Sequence, residues 1–341
     1  VGKVRVAIIG AGGYSGAELV SLLLNHSGVE IVGLFGSAKR AGETFAESWP
    51  RFRGRMDLPV HATDVRAIAA LKPDAIFLAT PHEASVELAP ELLATGATVL
   101  DLSGGFRFKD AAIYPVYYGF EHKNRTLLEQ AVYGLAELFR AKIKAARLIS
   151  VPGCYPTSAI LPLAPLVRAG AVRAGTRPIV DSTSGVSGAG RSAVQKNLFC
   201  EVSLQAYNVF KHRHNPEIDA YAGCATVFTP HVGAFDRGIL STIHVDLTSG
   251  WNGERVGATL REAYAGEAFV RMCPAGIWPA IHDVRMTNFC DIAFAVDEKH
   301  GHLILESAID NLVKGAAGQA IQCLNIRFGM PEGLSLLGNP T

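Results

Sequence analysis

The chain has 341 residues, 49% hydrophobic and 18% charged, with 32 Lys and Arg against 31 Asp and Glu. Two domains of ordinary size fit that length, and the even charge balance excludes a global field that would recruit nucleic acid or an anionic membrane, so any anion site must be local. Six scattered cysteines without a C-x-x-C pair exclude a zinc ribbon or a disulfide framework and fit a reducing cytoplasm, and no apolar run nears the roughly 18 residues of a membrane span.

Val4 to Ile9 is a short β-branched run that breaks into Gly10-Ala11-Gly12-Gly13-Tyr14-Ser15-Gly16 before a helical pattern through Leu19, Val20 and Leu23. Strand, glycine turn and helix form a dinucleotide-binding opening, in which the glycines let the backbone approach a pyrophosphate at the helix start. Ser15 stands where the third glycine of G-x-G-x-x-G would fall, and Gly16 follows it. A second strand, Glu30 to Phe35, ends in Gly36-Ser37-Ala38-Lys39-Arg40. No acid is present there to hold a ribose 2'-hydroxyl, so the turn favours NADP, with Ser37 and Lys39 as candidates for the 2'-phosphate.

A strand at Ala75 to Ala79, a helix from Glu83 to Ala94 and a strand at Thr98 to Leu102 alternate as βαβ units, which predicts a parallel sheet with helices on its faces. Ligands collect at the carboxyl ends of such strands. His82 at one end reads as a helix-start residue, while Ser103 and Arg107 at another suit a phosphate-bearing substrate.

The strand Arg147 to Val151 leads into Pro152-Gly153-Cys154-Tyr155-Pro156-Thr157. A cysteine in a turn between strand and helix is exposed to helix-start N–H groups that favour its thiolate, and Cys154 is the candidate nucleophile. The chain beyond it reads as helical to about Ala169, although Pro162 and Pro165 predict a kink or an early end. A domain boundary belongs at this point.

In the second half, the strand Ile179 to Thr183 runs into Ser184-Gly185-Val186-Ser187-Gly188-Ala189-Gly190-Arg191, a small-residue loop able to wrap a ligand through Ser187 and Gly188 while Arg191 adds charge. His212 and His214, with Glu217 beyond them, could hold a metal or form an oriented acid–base group, and the lack of a grouped third ligand favours the latter. Ala225 to Thr229, Ile239 to Leu247, Phe289 to Val296 and Leu303 to Ser307 read as antiparallel strands, with a helix at Gly253 to Tyr264. Asp310 to Phe328 reads as a helix rich in small residues that returns to the first domain. The expected fold is α/β: a Rossmann-type parallel-sheet domain at 1–152 completed by 310–341, and an α+β domain at 153–309 with a mostly antiparallel sheet.

Taken together, GAGGYSGAEL (Gly10 to Leu19), DLSGGFR (Asp101 to Arg107), PGCYPT (Pro152 to Thr157), SGVSGAGR (Ser184 to Arg191), HRHNPEI (His212 to Ile218), TPH with RGIL (Thr229 to His231 and Arg237 to Leu240) and the segment Lys314 to Asn325 resemble the N-acetyl-gamma-glutamyl-phosphate reductases, relatives of aspartate-semialdehyde dehydrogenase. The likeness runs nearly end to end, with two departures: Gly105 stands where many members carry Asp, and Val232 to Asp236 differs from the commoner apolar form.

The resemblance implies that Cys154 attacks an acyl phosphate, phosphate leaves, and NADPH reduces the resulting thioester to a semialdehyde in arginine biosynthesis. It implies acid–base work for His212 with Glu217 orienting it, cofactor contacts at Gly10, Gly12, Gly13, Tyr14, Ser15, Gly16, Ser37, Lys39, Ser187, Gly188 and Asn325, and substrate contacts at Ser103, Arg107 and Arg191. The implied partners are N-acetylglutamyl phosphate and phosphate, with no metal and with the domain at 153–309 joining copies into a dimer or tetramer. Phosphate is a good leaving group and a thioester accepts hydride, so the chemistry agrees with the residues. Alternatives are a relative acting on aspartyl or carrier-bound aminoadipyl phosphate, a nucleotide sensor without catalysis, and a thiol hydrolase.

Overall fold

A computed structural model describes residues 2–337, so the last four residues of the segment 310–341 lie outside it. The chain divides into two compact units, one formed by the chain up to Pro152 with the segment from Ala316 onward, the other by Gly153–Gly315. Asp310 to Gly315, expected to belong with the first domain, therefore lie in the second unit.

The first unit holds a seven-stranded sheet of β1 (Val4–Ile9), β2 (Val29–Gly36), β3 (Val60–Ala62), β4 (Ala75–Leu78), β5 (Thr98–Asp101), β6 (Val132–Tyr133) and β7 (Leu148–Ser150). The spatial order is β3-β2-β1-β4-β5-β7-β6, and every pairing is parallel. Strands covered on both faces read as unbroken apolar runs, and Val6 to Ile9 and Ala75 to Leu78 are all fully buried. The strand order reverses between β1 and β4, which sets a crevice at their carboxyl ends. The helix Gly318–Arg327 packs in this unit against Ala136–Ala145 and Tyr14–Leu23. It starts later than the sequence suggests, because a π-type turn, Val313–Ala317, precedes it.

The second unit is built on β8 (Ile179–Gly185), β9 (Gln205–Ala206), β10 (Val227–Gly233), β11 (Ile239–Asp246), β12 (Val270–Met272), β13 (Cys290–Asp297) and β14 (His302–Ile309), in the order β12-β13-β14-β11-β8-β10-β9. Most pairings are antiparallel, as expected, but β12 runs parallel to β13, and β10 runs parallel to β8. The connection between those two strands carries the helix Asn215–Ala222, the kind of long crossover a parallel pair requires. Buried Ile239, Ser241, Ile243 and Val245 alternate along β11 with half-buried neighbours, so one face of the sheet is covered. That cover includes the helix Cys154–Arg168, in which every residue from Tyr155 to Leu166 is buried.

Pro162 and Pro165 do not break this helix, contrary to the sequence expectation, and it runs for 15 residues. Each proline removes one N–H and so leaves the carbonyl four residues earlier without its helical partner. Ser307 Oγ donates to the carbonyl of Ser158 at 2.6 Å, and the Tyr264 hydroxyl donates to the carbonyl of Leu161. Both carbonyls that the prolines vacate are thus satisfied by side chains from elsewhere in the unit.

Candidate active site

In the first unit the glycine loop closes the crevice between β1 and β4. Gly10 has φ +89°, and a methyl group there would stand 2.2 Å from the carbonyl oxygen of Ala79. A methyl group on Gly16 would meet the carbonyl oxygen of Gly10 at 2.3 Å and Cα of Ala11 at 2.7 Å. Gly16 therefore performs the close strand-to-helix packing that the third glycine of the fingerprint usually performs, and Ser15, one position earlier, is left half-buried at the helix start. Gly13 caps the helix Tyr14–Leu23, and the Tyr14 ring lies against Trp49. A helix N-terminus bared by glycines suits a pyrophosphate, so the residues present fit a dinucleotide.

Ser37 and Lys39 are exposed in a short 3-10 turn after β2. Sequence reasoning passed over Arg40, whose guanidinium lies 3.7 Å from where a methyl group on Gly12 would stand and donates to Ser48 Oγ at 3.3 Å. It is a cation set against the glycine loop, and in the sequence nothing separates it from the equally basic Lys39 beside it.

Three expected ligand contacts in this unit are already engaged with protein. Ser103 is buried, donating to Asp101 Oδ2 at 2.9 Å and accepting from the Gly105 N–H at 3.0 Å. Arg107 is buried too, and its Nε and Nη2 reach the carbonyls of Val151 and Leu102 at 3.0 and 3.3 Å. Arg107 thus ties the ends of β5 and β7 together, and burial raises the pKa of the Asp101 carboxyl, against the lowering by Ser103, Ser85 and Arg107. Asn325 is fully buried, bonded to His26 Nε2 at 2.8 Å and to the carbonyls of Glu332 and Leu334 at 3.0 Å each, so its amide anchors the segment that follows its helix. His82 starts the helix His82–Ala94 and accepts the Gly104 N–H at 2.7 Å, which matches the helix-start reading.

In the second unit Cys154 is the first residue of its helix, with Gly153 as N-cap. The first N–H groups of the helix belong to Cys154 and Tyr155, and the next residue, Pro156, has none to leave unpaired. Cys154 opens on a cavity of about 360 Å³, shared with Ser184, Gly188, Lys196, Tyr207, His212 and Arg213 among others. Tyr207 donates to the Tyr155 hydroxyl at 3.3 Å, and that hydroxyl donates to the carbonyl of His231. Burial raises the pKa of both phenols, so both remain protonated donors.

His212 is 8% exposed, and its Nδ1 accepts the backbone N–H of His214 at 3.1 Å. A nitrogen that accepts from an amide carries no proton, so the neutral ring holds its proton on Nε2. Burial, and then the positive charge of Arg213, push its pKa down to about 3. The imidazole is thus a neutral Nε2–H donor lining the cavity that Cys154 opens on.

Glu217, expected from the sequence to orient His212, also meets the turn before the cysteine. It is fully buried, and its Oε1 accepts the N–H of Gly153 at 2.8 Å. The carboxylate secures the turn in front of Cys154, while the backbone of His214 orients His212. Arg191 is half-buried outside the cavity lining, and the positive charge there comes from Lys196 and Arg213, for which the sequence offered no separate signal. Gly188 lines the cavity, and Ser187 accepts from Asn311 Nδ2 at 3.0 Å. Among the described residues no three His, Cys, Asp or Glu side chains group to hold a metal, and no helix is long and apolar enough to cross a membrane.

A nucleotide-type parallel-sheet unit followed by a mixed-sheet unit that opens on a helix-start cysteine defines a dehydrogenase of the semialdehyde class. Residues 5–146 match the family model described as semialdehyde dehydrogenase, NAD binding domain, and residues 154–311 match semialdehyde dehydrogenase, dimerisation domain. Among solved structures, aspartate semialdehyde dehydrogenase II from Vibrio cholerae, complexed with ASA, covers 96% of this chain and 99% of its own, with TM-score 0.73 and 16% identity. Aspartate semialdehyde dehydrogenase with NADP from Candida albicans covers 95% and 98%, with TM-score 0.66 and 14% identity. At those identities the likeness shows the fold.

The sequence relatives are nearer. N-acetyl-gamma-glutamyl-phosphate reductase from Yersinia pseudotuberculosis is 49% identical over 332 residues, covering 97% of this chain and 98% of the relative. The proteins of that name from Salmonella typhi and Escherichia coli K12 are 50% and 49% identical over 333 and 334 residues, with the same coverage. The chain belongs to the N-acetyl-gamma-glutamyl-phosphate reductase family.

Proposed function

We propose that the chain reduces N-acetyl-L-glutamyl 5-phosphate to N-acetyl-L-glutamate 5-semialdehyde with NADPH, in arginine biosynthesis, through a thioester on Cys154. The observation that carries this reading is the placement of Cys154 at a helix start, in one cavity with a neutral Nε2–H imidazole and two cationic side chains. Helix-start N–H groups favour the thiolate. The sulfur bonds to the acyl carbon, the carbon–oxygen bond to phosphate breaks, and the phosphate departs toward Lys196 and Arg213. NADPH supplies the hydride that converts the thioester to a thiohemiacetal oxyanion.

His212 Nε2–H stabilises that oxyanion as a hydrogen-bond donor, alongside the backbone N–H groups at the helix start. When the carbon–sulfur bond breaks, the oxyanion becomes the aldehyde carbonyl, the semialdehyde leaves and the thiolate is restored. Glu217 acts through the Gly153 turn, which it holds in place for the attack. In the first unit Gly10, Gly12, Gly13, Tyr14, Ser15 and Gly16 form the pyrophosphate site, and Ser37 and Lys39, joined by Arg40, meet the 2'-phosphate. The domain at 154–311 joins copies of the chain into a dimer or tetramer, and a reducing cytoplasm suits an enzyme whose nucleophile must remain a free thiol.

The test is phosphate-dependent reduction of NADP with N-acetylglutamate semialdehyde, run on the wild type and on Cys154→Ala. Turnover is expected in the first and none in the second, and turnover in the variant would defeat the covalent route. A preference for aspartate semialdehyde would move the assignment to the related acyl phosphates.

A further inference from the structure

Cys154 is also met closely by Gly315, which is not among the residues lining its cavity. A methyl group added at Gly315 would stand 2.7 Å from Cβ of Cys154 and 3.1 Å from its Cα, with the carbonyl oxygen of Asp310 next at 3.4 Å. Real carbon–carbon contacts do not reach 2.7 Å, so Gly315 is glycine because the cysteine occupies its side-chain space. Its φ is not in the left-handed region, so backbone strain is not the reason.

Gly315 lies in the π-type turn Val313–Ala317, and its N–H donates to the carbonyl of Asp310, five residues earlier, at 3.0 Å. π-type turns are rare and concentrate at functional sites. This one is built on the fully buried Asp310. Its Oδ1 accepts the N–H groups of Leu312 and Val313 at 2.8 and 3.1 Å, and its Oδ2 accepts the N–H of Met286 at 2.7 Å. Arg237 closes on the same carboxylate with two bonds, at 3.0 and 3.1 Å. A buried carboxylate with this many donors has one geometry available to it.

We propose that Gly315 is a positioning residue for Cys154: the turn anchored by Asp310 presses glycine backbone against Cβ of the cysteine and so sets where its sulfur stands. This inference rests on the reading of Cys154 as nucleophile. It is independent of cofactor recognition and of the proton donor.

The experiment is Gly315→Ala in the full-length chain, alone and combined with Cys154→Gly, which removes the Cβ that the new methyl would strike. For Gly315→Ala we expect kcat to fall by about tenfold or more, since a displacement near 1 Å at the reacting atom can cost on the order of a hundredfold. The KM for NADPH should hold. Iodoacetamide labelling followed by mass spectrometry should show a changed rate at Cys154 and an unchanged one at the exposed Cys200. Thermal unfolding should show that the alanine destabilises the wild-type background more than the Cys154→Gly background. If Gly315→Ala fails to fold but the double variant folds, the contact is confirmed by that alone.

Wild-type kcat and labelling in Gly315→Ala would overturn the proposal. So would failure to fold in both backgrounds, equal destabilisation in both, or a kcat loss matched by a rise in the NADPH KM. Activity in Cys154→Ala would defeat the nucleophile reading instead, and the stability coupling between the two positions would still report on the contact.

Discussion

The carboxylate of Glu217 and the backbone N–H of Gly153 meet at 2.8 Å with the acid fully buried, so a residue 64 positions downstream holds the turn from which Cys154 projects. A hydrogen bond to a buried charged group contributes about 1.5–3 kcal/mol. Glu217→Ala should lower stability by about that amount in urea unfolding and lower kcat as the turn relaxes. Glu217→Gln keeps an oxygen for the Gly153 N–H and should retain more kcat than the alanine variant. Equal loss in both would return Glu217 to a role that depends on its charge.

His212 makes the stability of the chain depend on pH. Its folded-state pKa of about 3 lies below the ordinary 6.5, so between those values the unfolded chain binds a proton that the folded chain refuses. That contribution is complete above about pH 6.5 and is lost as pH falls toward 3, and stability therefore rises with pH through the window. Denaturant midpoints from pH 6.5 to pH 4.5 should fall with a slope that is shallower by about one proton in His212→Gln. An unchanged slope would mean that the imidazole is not held neutral.

The guanidinium of Arg40 lies over Gly12, whereas Lys39 is exposed. Charge-assisted contacts to phosphate are roughly twice as strong as neutral ones. Arg40→Ala is expected to raise the KM for NADPH by about tenfold or more, to exceed the effect of Lys39→Ala, and to leave the KM for NADH nearly unchanged. Equal effects of Arg40→Ala on both cofactors would remove it from the 2'-phosphate site.

Ser307 and Tyr264 replace the helical donors that Pro162 and Pro165 remove. Ser307→Ala leaves the buried carbonyl of Ser158 unpaired and should cost about 1–3 kcal/mol in equilibrium unfolding. In a Pro162→Ala background the restored N–H can reach that carbonyl, so the loss from Ser307→Ala should shrink. Additive losses would show that the serine bond does not substitute for the helical one.

Local pattern was enough to read the chemistry-bearing segments. The Gly10 to Gly16 turn, the cysteine after Pro152-Gly153 and the histidine-rich patch at His212 are each contiguous, and their physical consequence is carried by neighbours in sequence. So is the alternation of strand and helix that makes the first sheet parallel, because period and turn residues act over a few positions. What contiguity cannot convey is which distant partner a side chain meets. Arg107 suits a phosphate by its chemistry but gives two of its five N–H donors to Val151 and Leu102, and Glu217 is near His212 in sequence but bonds Gly153.

The sequence by itself determined that this protein carries a glycine loop of nucleotide-binding type, a candidate nucleophilic cysteine and a candidate proton donor, because each is written in a short run with a local physical signature. Only the tertiary structure decided how the cysteine is held. Glu217 fixes the turn before it, Ser307 and Tyr264 keep its proline-bearing helix unbroken, and Gly315 stands against its Cβ. Those partners lie 63 to 161 residues from Cys154 by their numbering, and a hydrogen bond or a steric contact depends on distance in space, which the spacing of residues along the chain does not encode.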